Sequence, residues 1–552
     1  MVTVEKKIVL LALSLSTFVL VIDTTIMNVS ISALINDFKT DVTTVQAAIT
    51  LYALVMASLM ITGGKIGDII GRKRAFRIGM VIFGAGSLLT AFSPNIAVVF
   101  LGWSILEGLG ATLVMPSTQT LVTSNYTGAD RAFVYGILGG IAASGIAFGP
   151  IIGGWLTTAY TWRLAFAGEV VVVLLVLWTS RYILDAPLEP GEKPRMDIVG
   201  SIISALGIGL FVFGILLAGT YGWWKARHSF FIGGIEISLF GLSPTPLFIA
   251  GGIAMLLVFA LWERHIVALG GTPLVRLDLL KDRRIKSGLF VQMVQNTLFG
   301  GFLFSMALFF QIVLGLNAMQ TGFVYLPLSI PLLISSLTAS RLSVFIPPRR
   351  IIQAGLLVLT AGLLLVNATI NVKVEGFPLI FGFALIGIGG GLIASQIMNL
   401  VLSQVSSERT SETAALMNTS QNMGMSLGTA LMGSILLAGL ASGAIALVDE
   451  SKVLPESVKD DLTMAVEANV RFLSNEELEN ILKDAPSDIA QEILRINEIA
   501  RIDGIKKSLW GMIFVSLFGI FATFFLPPEI LISPQQSDKR GVTPEKLGKI
   551  SK

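Results

Sequence analysis

Three acids set inside apolar runs are the residues of this 552-residue chain best placed to do chemistry: Asp23, Glu107 and Glu169. A charged, unpaired carboxylate at membrane depth costs several kcal/mol, so each is expected to hold a proton or face a cation. Asp23 lies about fifteen residues into its run. Ser104, Glu107, Gly108 and Ala111 share one face of a regular helix, which turns Glu107 toward the cavity Asp23 faces. Other chemistry has little material. Cysteine is absent, and the two histidines, His228 and His265, stand far apart. Thiolate metal sites are therefore excluded, and zinc catalysis and a Ser–His–Asp triad have almost no raw material; no metal site and no enzymatic activity are expected. No Gly-x-x-x-x-Gly-Lys-Ser/Thr run occurs, so the expected energy source is an ion gradient rather than ATP, with no cofactor.

A second group of residues builds moving parts. The segment Gly64-Lys-Ile-Gly-Asp68-Ile-Ile-Gly71-Arg72-Lys-Arg74 puts one acid among four cations and uses glycine for a tight turn. It resembles the loop between helices 2 and 3 of the major facilitator superfamily, Gly-x-Leu-Ala-Asp-Arg-x-Gly-Arg-Arg. That resemblance implies a conformational gate in which Gly64 and Gly71 shape the loop and Asp68 and Arg72 are the active charges. Residues 145–154 read Gly145-Ile-Ala-Phe-Gly149-Pro150-Ile-Ile-Gly153-Gly154, where small residues four apart allow close helix packing and Pro150 permits a kink. This is similar to the antiporter motif of the family's proton-coupled exporters. Residues 22–29, Ile-Asp-Thr-Thr-Ile-Met-Asn-Val, resemble the first-helix signature of the fourteen-helix drug:proton antiporter branch, and Trp162-Arg163 extends the likeness.

Departures from the family pattern matter as much. Where the family carries Arg-x-x-Gln-Gly-x-Gly, this chain has Ser104-Ile-Leu-Glu107-Gly108-Leu-Gly110. The arginine is gone and an acid replaces the glutamine. Glu169 likewise stands where the family often has asparagine. Three acids without the arginine imply altered coupling and a cationic substrate that supplies the missing positive charge. The expected cavity takes in Met27, Asn28, Ser104 and Glu169 from the first half. From the second half it takes the amides Gln292, Gln295, Asn296, Asn418 and Asn422, and Gln292, Gln295 and Asn296 share one helix face. Interhelical glue is the alternative for these amides. Glu412 is expected as a helix N-terminal acid rather than a ligand.

These residues need helices to hold them, and the composition provides for little else. The chain is 53% hydrophobic and 14% charged, with mean hydropathy +0.79. Soluble chains carry about 25% charge, and a bilayer span needs ~20 apolar residues. The expected fold is all-α and polytopic. Fourteen spans are predicted near 8–32, 45–64, 76–95, 97–117, 132–156, 163–183, 197–221, 245–262, 286–313, 320–340, 351–370, 377–402, 411–444 and 507–526. Residues 1–190 would form one six-helix bundle and 281–532 a second, with 191–280 inserting two further helices and 533–552 forming a tail. An echo supports duplication. Arg74, Gly79 and Gly86 in the first half repeat the spacing of Arg350, Gly355 and Gly362 in the second.

Within the second bundle, 445–507 is acidic and polar and reads as a helical hairpin outside the membrane. Its expected helices run from Ser457 to Asn469, from a capping box at Ser474 and Glu477, and from Ser487 to Ile502 after Pro486. Short loops on that side carry only Lys39, Arg163, Lys225, Arg227 and Lys373, so basic residues concentrate on the face that bears both termini. This predicts cytoplasmic termini in a plasma-membrane protein. The resemblance implies proton-coupled export of lipophilic, cationic drugs or toxic compounds. The protein is expected to work as a monomer in the bilayer, and without a basic, aromatic-studded soluble domain no nucleic-acid partner is expected. A dedicated exporter of a lipid, peptide or endogenous metabolite fits the same residues, and a transport-dead receptor or scaffold is the remote reading.

Overall fold

The computed structural model describes residues 4–126, 128–185, 196–226, 230–232, 235–237, 241–343, 345–371, 376–402, 410–468 and 475–526. The first half contains α1 (Val4–Val29), the short α2 (Ile31–Phe38), α3 (Val42–Ile70) and α4 (Arg72–Ala91). It continues through α5 (Ile96–Val99) and a π-helical stretch, Phe100–Glu107, into α6 (Gly108–Asn125), α7 (Gly128–Ala159) and α8 (Arg163–Thr179). Next come α9 (Ile198–Tyr221) and α10 (Pro244–Ala268), with an antiparallel pair, β1 (Phe230–Ile232) and β2 (Ile235–Ile237), between them. The second half holds α11 (Arg283–Leu308), α12 (Ala318–Val324), α13 (Leu326–Leu342), α14 (Pro348–Thr369), α15 (Gly376–Leu402) and α16 (Thr410–Glu450). It ends with α17 (Glu456–Ala468), α18 (Asn475–Ile481) and α19 (Ser487–Thr523).

Among the described residues, twelve helices are long and apolar enough to cross a membrane, and the number reaches fourteen when two bent segments, within α7 and across α12–α13, each count as one span. That matches the count from hydropathy. The tail at 533–552 and Ser474 of the expected capping box lie outside the described residues.

The duplication seen as an echo has a packing cause. A Cβ on Gly79 or Gly86 would press on the backbone carbonyls of Gly110 and Gly102, so α4 lies directly against the fourth span. In the second half, Gly355 and Gly362 meet the carbonyls of Gly389 and Gly382 in the same way, seating α14 on α15.

The two halves meet along α3 and α16, where Ser426 Oγ donates to the Thr50 carbonyl (3.1 Å) and Gln46 Nε2 to that of Thr429 (3.0 Å). The inserted pair covers this seam. Ile208, Val212 and Ile215 of α9 are buried with Ala57 of α3 and Ala430 of α16, and Ser434 Oγ donates to the Ile215 carbonyl (3.1 Å).

The hairpin differs from expectation at one join. Residues 487–502 do not form a separate helix; α19 runs unbroken for 37 residues from its Pro486 cap into the last span. At 1.5 Å per residue it measures about 55 Å, well beyond the ~30 Å of a hydrocarbon core. No glycine or proline interrupts 487–503 to break it. Arg501 lies fully buried at the foot of the hairpin, donating to the Ile312 carbonyl (3.2 Å) and pairing with Asn475 Oδ1. Arg501→Ala strands these acceptors, so it should lower the apparent melting temperature by several degrees, with Arg501→Lys recovering part of the loss. An unchanged melting curve for Arg501→Ala would remove the residue from the fastening of the hairpin.

Candidate functional site

Asp23, Glu107 and Glu169 come together. One oxygen from each lies within 4.8 Å of the other two, and all three residues are buried, at 0%, 0% and 4% exposure. They arrive from three helices: Asp23 from α1, Glu107 from the end of the π-helical stretch, and Glu169 from α8. Gly86 makes room, because a Cβ there would lie 2.6 Å from the Glu107 Cγ.

Few hydrogen bonds support the cluster. Trp103 Nε1 donates to Asp23 Oδ1 (2.8 Å), and Ser87 Oγ to Glu169 Oε2 (3.1 Å). Asp23 Oδ2, Glu169 Oε1 and both oxygens of Glu107 have no partner among the described residues. Nor does a described cation pair with any of the three. Two unit charges 4.8 Å apart repel by ~3 kcal/mol at an effective dielectric of about 20, so three ionised carboxylates here would repel by roughly 10 kcal/mol. Such a cluster can relieve the repulsion by holding protons or by facing a cationic centre. Among the described residues, no other group of three acids is arranged in this way.

Sequence reasoning missed the two aromatic rings beside the cluster. Tyr52 of α3 stacks on Trp103, with centroids 4.8 Å apart and planes 3° apart. Trp103 precedes Glu107 by four residues, and that spacing was the available signal. The π-helical winding was not readable, and it separates residues expected on one face. Ser104 Oγ donates to the Ala48 carbonyl (2.9 Å) and fastens this span to α3, while Glu107 joins the acids. The position that holds arginine in the resembled family is thus a helix–helix hydroxyl.

Other expected residues are placed as follows. Met27 is buried in the apolar core. The Asn28 amide donates back to the Thr24 carbonyl (2.9 Å), and its own carbonyl accepts from Gln311 Nε2 (3.1 Å) in the second half. Gln295 Nε2 donates to the Gly390 carbonyl (2.9 Å), which makes it a fastener between α11 and α15. Asn296 and Asn422 donate to carbonyls one turn earlier, those of Gln292 and Asn418 (each 2.9 Å). Gln292 Oε1 and Asn418 Nδ2 are buried without a partner among the described residues. Of the amides expected in the second-half cavity, these two keep a buried polar atom with capacity for a guest.

The expected loop shrinks to one residue, since α3 runs through Gly64 and Asp68 to Ile70 and α4 starts at Arg72. Across that junction Arg72 is 3% exposed and ion-paired with Asp68. Gly71 closes one helix and opens the next at φ +97°, a conformation that disfavours any other residue. The Asp185 carboxylate after α8 sits against it and accepts from the Lys73 amide (2.9 Å). Gly64 faces Ala415 of the second half, and Lys65 Nζ donates to the Pro273 carbonyl (3.3 Å). Glu412 lies in the first turn of α16 and accepts from the Arg276 amide (2.5 Å), in keeping with its expected role. The end of α3 thus touches the second half and the segment after the inserted pair.

The run at 145–154 packs in two directions. Gly145, Gly149 and Gly153 lie against Val21, Thr25 and Ile26 of α1, whereas Gly154 lies against the Ala318 carbonyl of α12. Pro150 contributes its carbonyl to the same crossing, where it meets Gly322. Beside it, Trp162 Nε1 donates to Asp37 Oδ2 (3.0 Å), and Arg163 pairs with Asp37 and donates to the Ser93 carbonyl (2.9 Å).

Known proteins resemble this chain over most of its length. The puromycin resistance protein pur8 of Streptomyces alboniger is 30% identical over 420 residues, covering 75% of this chain and 78% of that protein. A probable actinorhodin transporter of Streptomyces coelicolor is 27% identical, covering 78% and 72%. The multidrug efflux pump LfrA of Mycolicibacterium smegmatis is 25% identical, covering 78% and 81%. Among solved structures, a bacterial homolog of the human lysosomal transporter Spinster, inward-facing and unoccupied, superposes with a TM-score of 0.61 at 15% identity. It covers 95% of this chain and 98% of its own. With residues 13–429 matching the family as a whole, the chain belongs to the Major Facilitator Superfamily.

Proposed function

We propose that this protein is a secondary exporter of lipophilic, cationic drugs or toxic compounds, driven by exchange for protons. The observation that carries the reading is the cluster of Asp23, Glu107 and Glu169, which is buried and has no described cation beside it. A carboxylate occupied by a proton cannot also balance a guest's positive charge, and that exclusivity is the physical content of antiport. The relatives named for puromycin resistance, actinorhodin transport and multidrug efflux support export of toxic compounds. Asp23 and Glu107 carry the proton, Glu169 completes the charge balance, and the loop of Gly64, Asp68, Gly71 and Arg72 gates the exchange. The proton gradient is the sole energy source, without a cofactor. The skew of basic residues supports cytoplasmic termini in the plasma membrane. A monomer suffices, since each chain carries the whole cluster.

Inverted vesicles containing the protein should lose an imposed pH gradient when a lipophilic cation such as ethidium or tetraphenylphosphonium is added. Vesicles without the protein should hold it. A gradient that survives a broad panel of cations would sink the reading and favour a narrow endogenous cargo.

A further inference from the structure

A second site lies away from the acids, on the face that carries the termini. A groove of about 510 Å3 opens between the start of α4 and the end of α8, lined by Lys73, Arg74, Arg77, Ile78, Val81, Ile82, Leu177 and Asp185. Its two ends differ chemically. The three cations gather within the first two turns of α4, and four aliphatic side chains form the floor beyond them.

The single acid of the groove is already engaged, since Asp185 accepts from the Lys73 amide and lies against Gly71. Lys73 Nζ reaches over to the Arg181 carbonyl (3.0 Å), which ties the two walls together. Arg74 and Arg77 are exposed, one turn apart, and form no ion pair among the described residues. Ile78 and Val81 are 40% and 55% exposed, and Leu174, Leu175 and Trp178 continue the bare apolar surface along α8. Arg181 stacks 4.6 Å over the Trp178 ring, a pairing suited to the boundary between headgroups and hydrocarbon.

From this arrangement we infer that the groove between α4 and α8 is a binding site for an anionic phospholipid of the surrounding membrane. The phosphate sits between Arg74 and Arg77, and an acyl chain lies along Ile78, Val81 and Leu177. Arg74 and Val81 are seven residues apart, about 10 Å of helix, enough to separate a phosphate from the first methylenes of its chains. A free phosphate would use the cations and leave the aliphatic floor bare. The lipid spans the start of α4 and the end of α8, beside Gly71, where the chain turns from α3 into α4. This inference does not depend on the exported compound.

The test is native mass spectrometry of the full-length protein in detergent, offered equal amounts of phosphatidylglycerol and phosphatidylcholine. Phosphatidylglycerol should be retained preferentially. Arg74→Ala with Arg77→Ala should weaken its retention at least about tenfold, on the scale of two interfacial charges. Lys6→Ala with Lys7→Ala, which removes cations from the same face outside the groove, should leave it unchanged. Val81→Asn should also weaken lipid retention, and inorganic phosphate should not compete. Equal retention of the two lipids, equal loss in both double variants, or displacement by inorganic phosphate would each overturn the assignment. Melting curves matching the unaltered protein confirm that the variants are folded; if the arginine pair fails this check, Val81→Asn alone decides.

Discussion

Asp23→Asn should reduce proton-driven export in proteoliposomes to the level of empty vesicles, while exchange of labelled for unlabelled substrate without a pH gradient continues. The substitution is nearly isosteric and keeps an oxygen to accept from Trp103 Nε1, so the stacked Tyr52–Trp103 pair has no cause to move. What it removes is the ability of a fully buried group to alternate between neutral and negative. Retention of full proton-driven export would take Asp23 out of the coupling step. Loss of both activities together with an altered melting curve would assign it a structural role instead.

The spacing of the cluster also forecasts how its members combine. With three carboxyls inside 4.8 Å, the charge on one sets the cost of charging the others. Adding Glu107→Gln to Asp23→Asn should therefore cost less than the product of the two single losses. Glu107→Gln alone restores the residue that the resembled family carries and should weaken the preference for cations. Export of cations and neutral compounds in unchanged ratio would show that the acid is incidental there.

Much of this was legible in a single sequence because it rests on composition or local spacing. Fourteen apolar runs, the Gly64–Arg74 loop and the paired glycines of α4 and α14 each leave a linear pattern. The cluster was legible in part. Three acids in apolar runs are conspicuous, and Asp23, Glu107 and Glu169 were all expected at one cavity, but only packing brings them within 4.8 Å of one another. The Tyr52–Trp103 stack joins residues fifty-one positions apart, and no periodicity encodes such a pairing. The π-helical turn at Phe100–Glu107 defeated the 3.6-residue rule used to place Ser104. The continuity of α19 was missed because polarity changes along it while backbone preference does not.

Gly154→Val should abolish transport in a protein that still folds. A side chain at Gly154 would strike the Ala318 carbonyl of α12, and one at Gly322 would strike the Pro150 carbonyl, so the two halves touch backbone to backbone here. Around that contact the Met319 amide donates to Thr158 Oγ1 (3.0 Å), and Gln311 bonds both to the Asn28 carbonyl (3.1 Å) and to the Ser32 amide (2.9 Å). Valine adds a branched side chain to a gap that holds none, and α7 and α12 must separate on the side of the hairpin. The face of α7 that seats on α1 through Gly145, Gly149 and Gly153 is untouched, which is why folding should survive. Because the chain has no cysteine, spin labels can be attached at introduced cysteines replacing Tyr160 and Phe323, both exposed. Their separation should widen in Gly154→Val and stay unchanged in Gly139→Val, where a Cβ meets open space. Wild-type transport at an unchanged label distance in Gly154→Val would show that this contact does not limit closure.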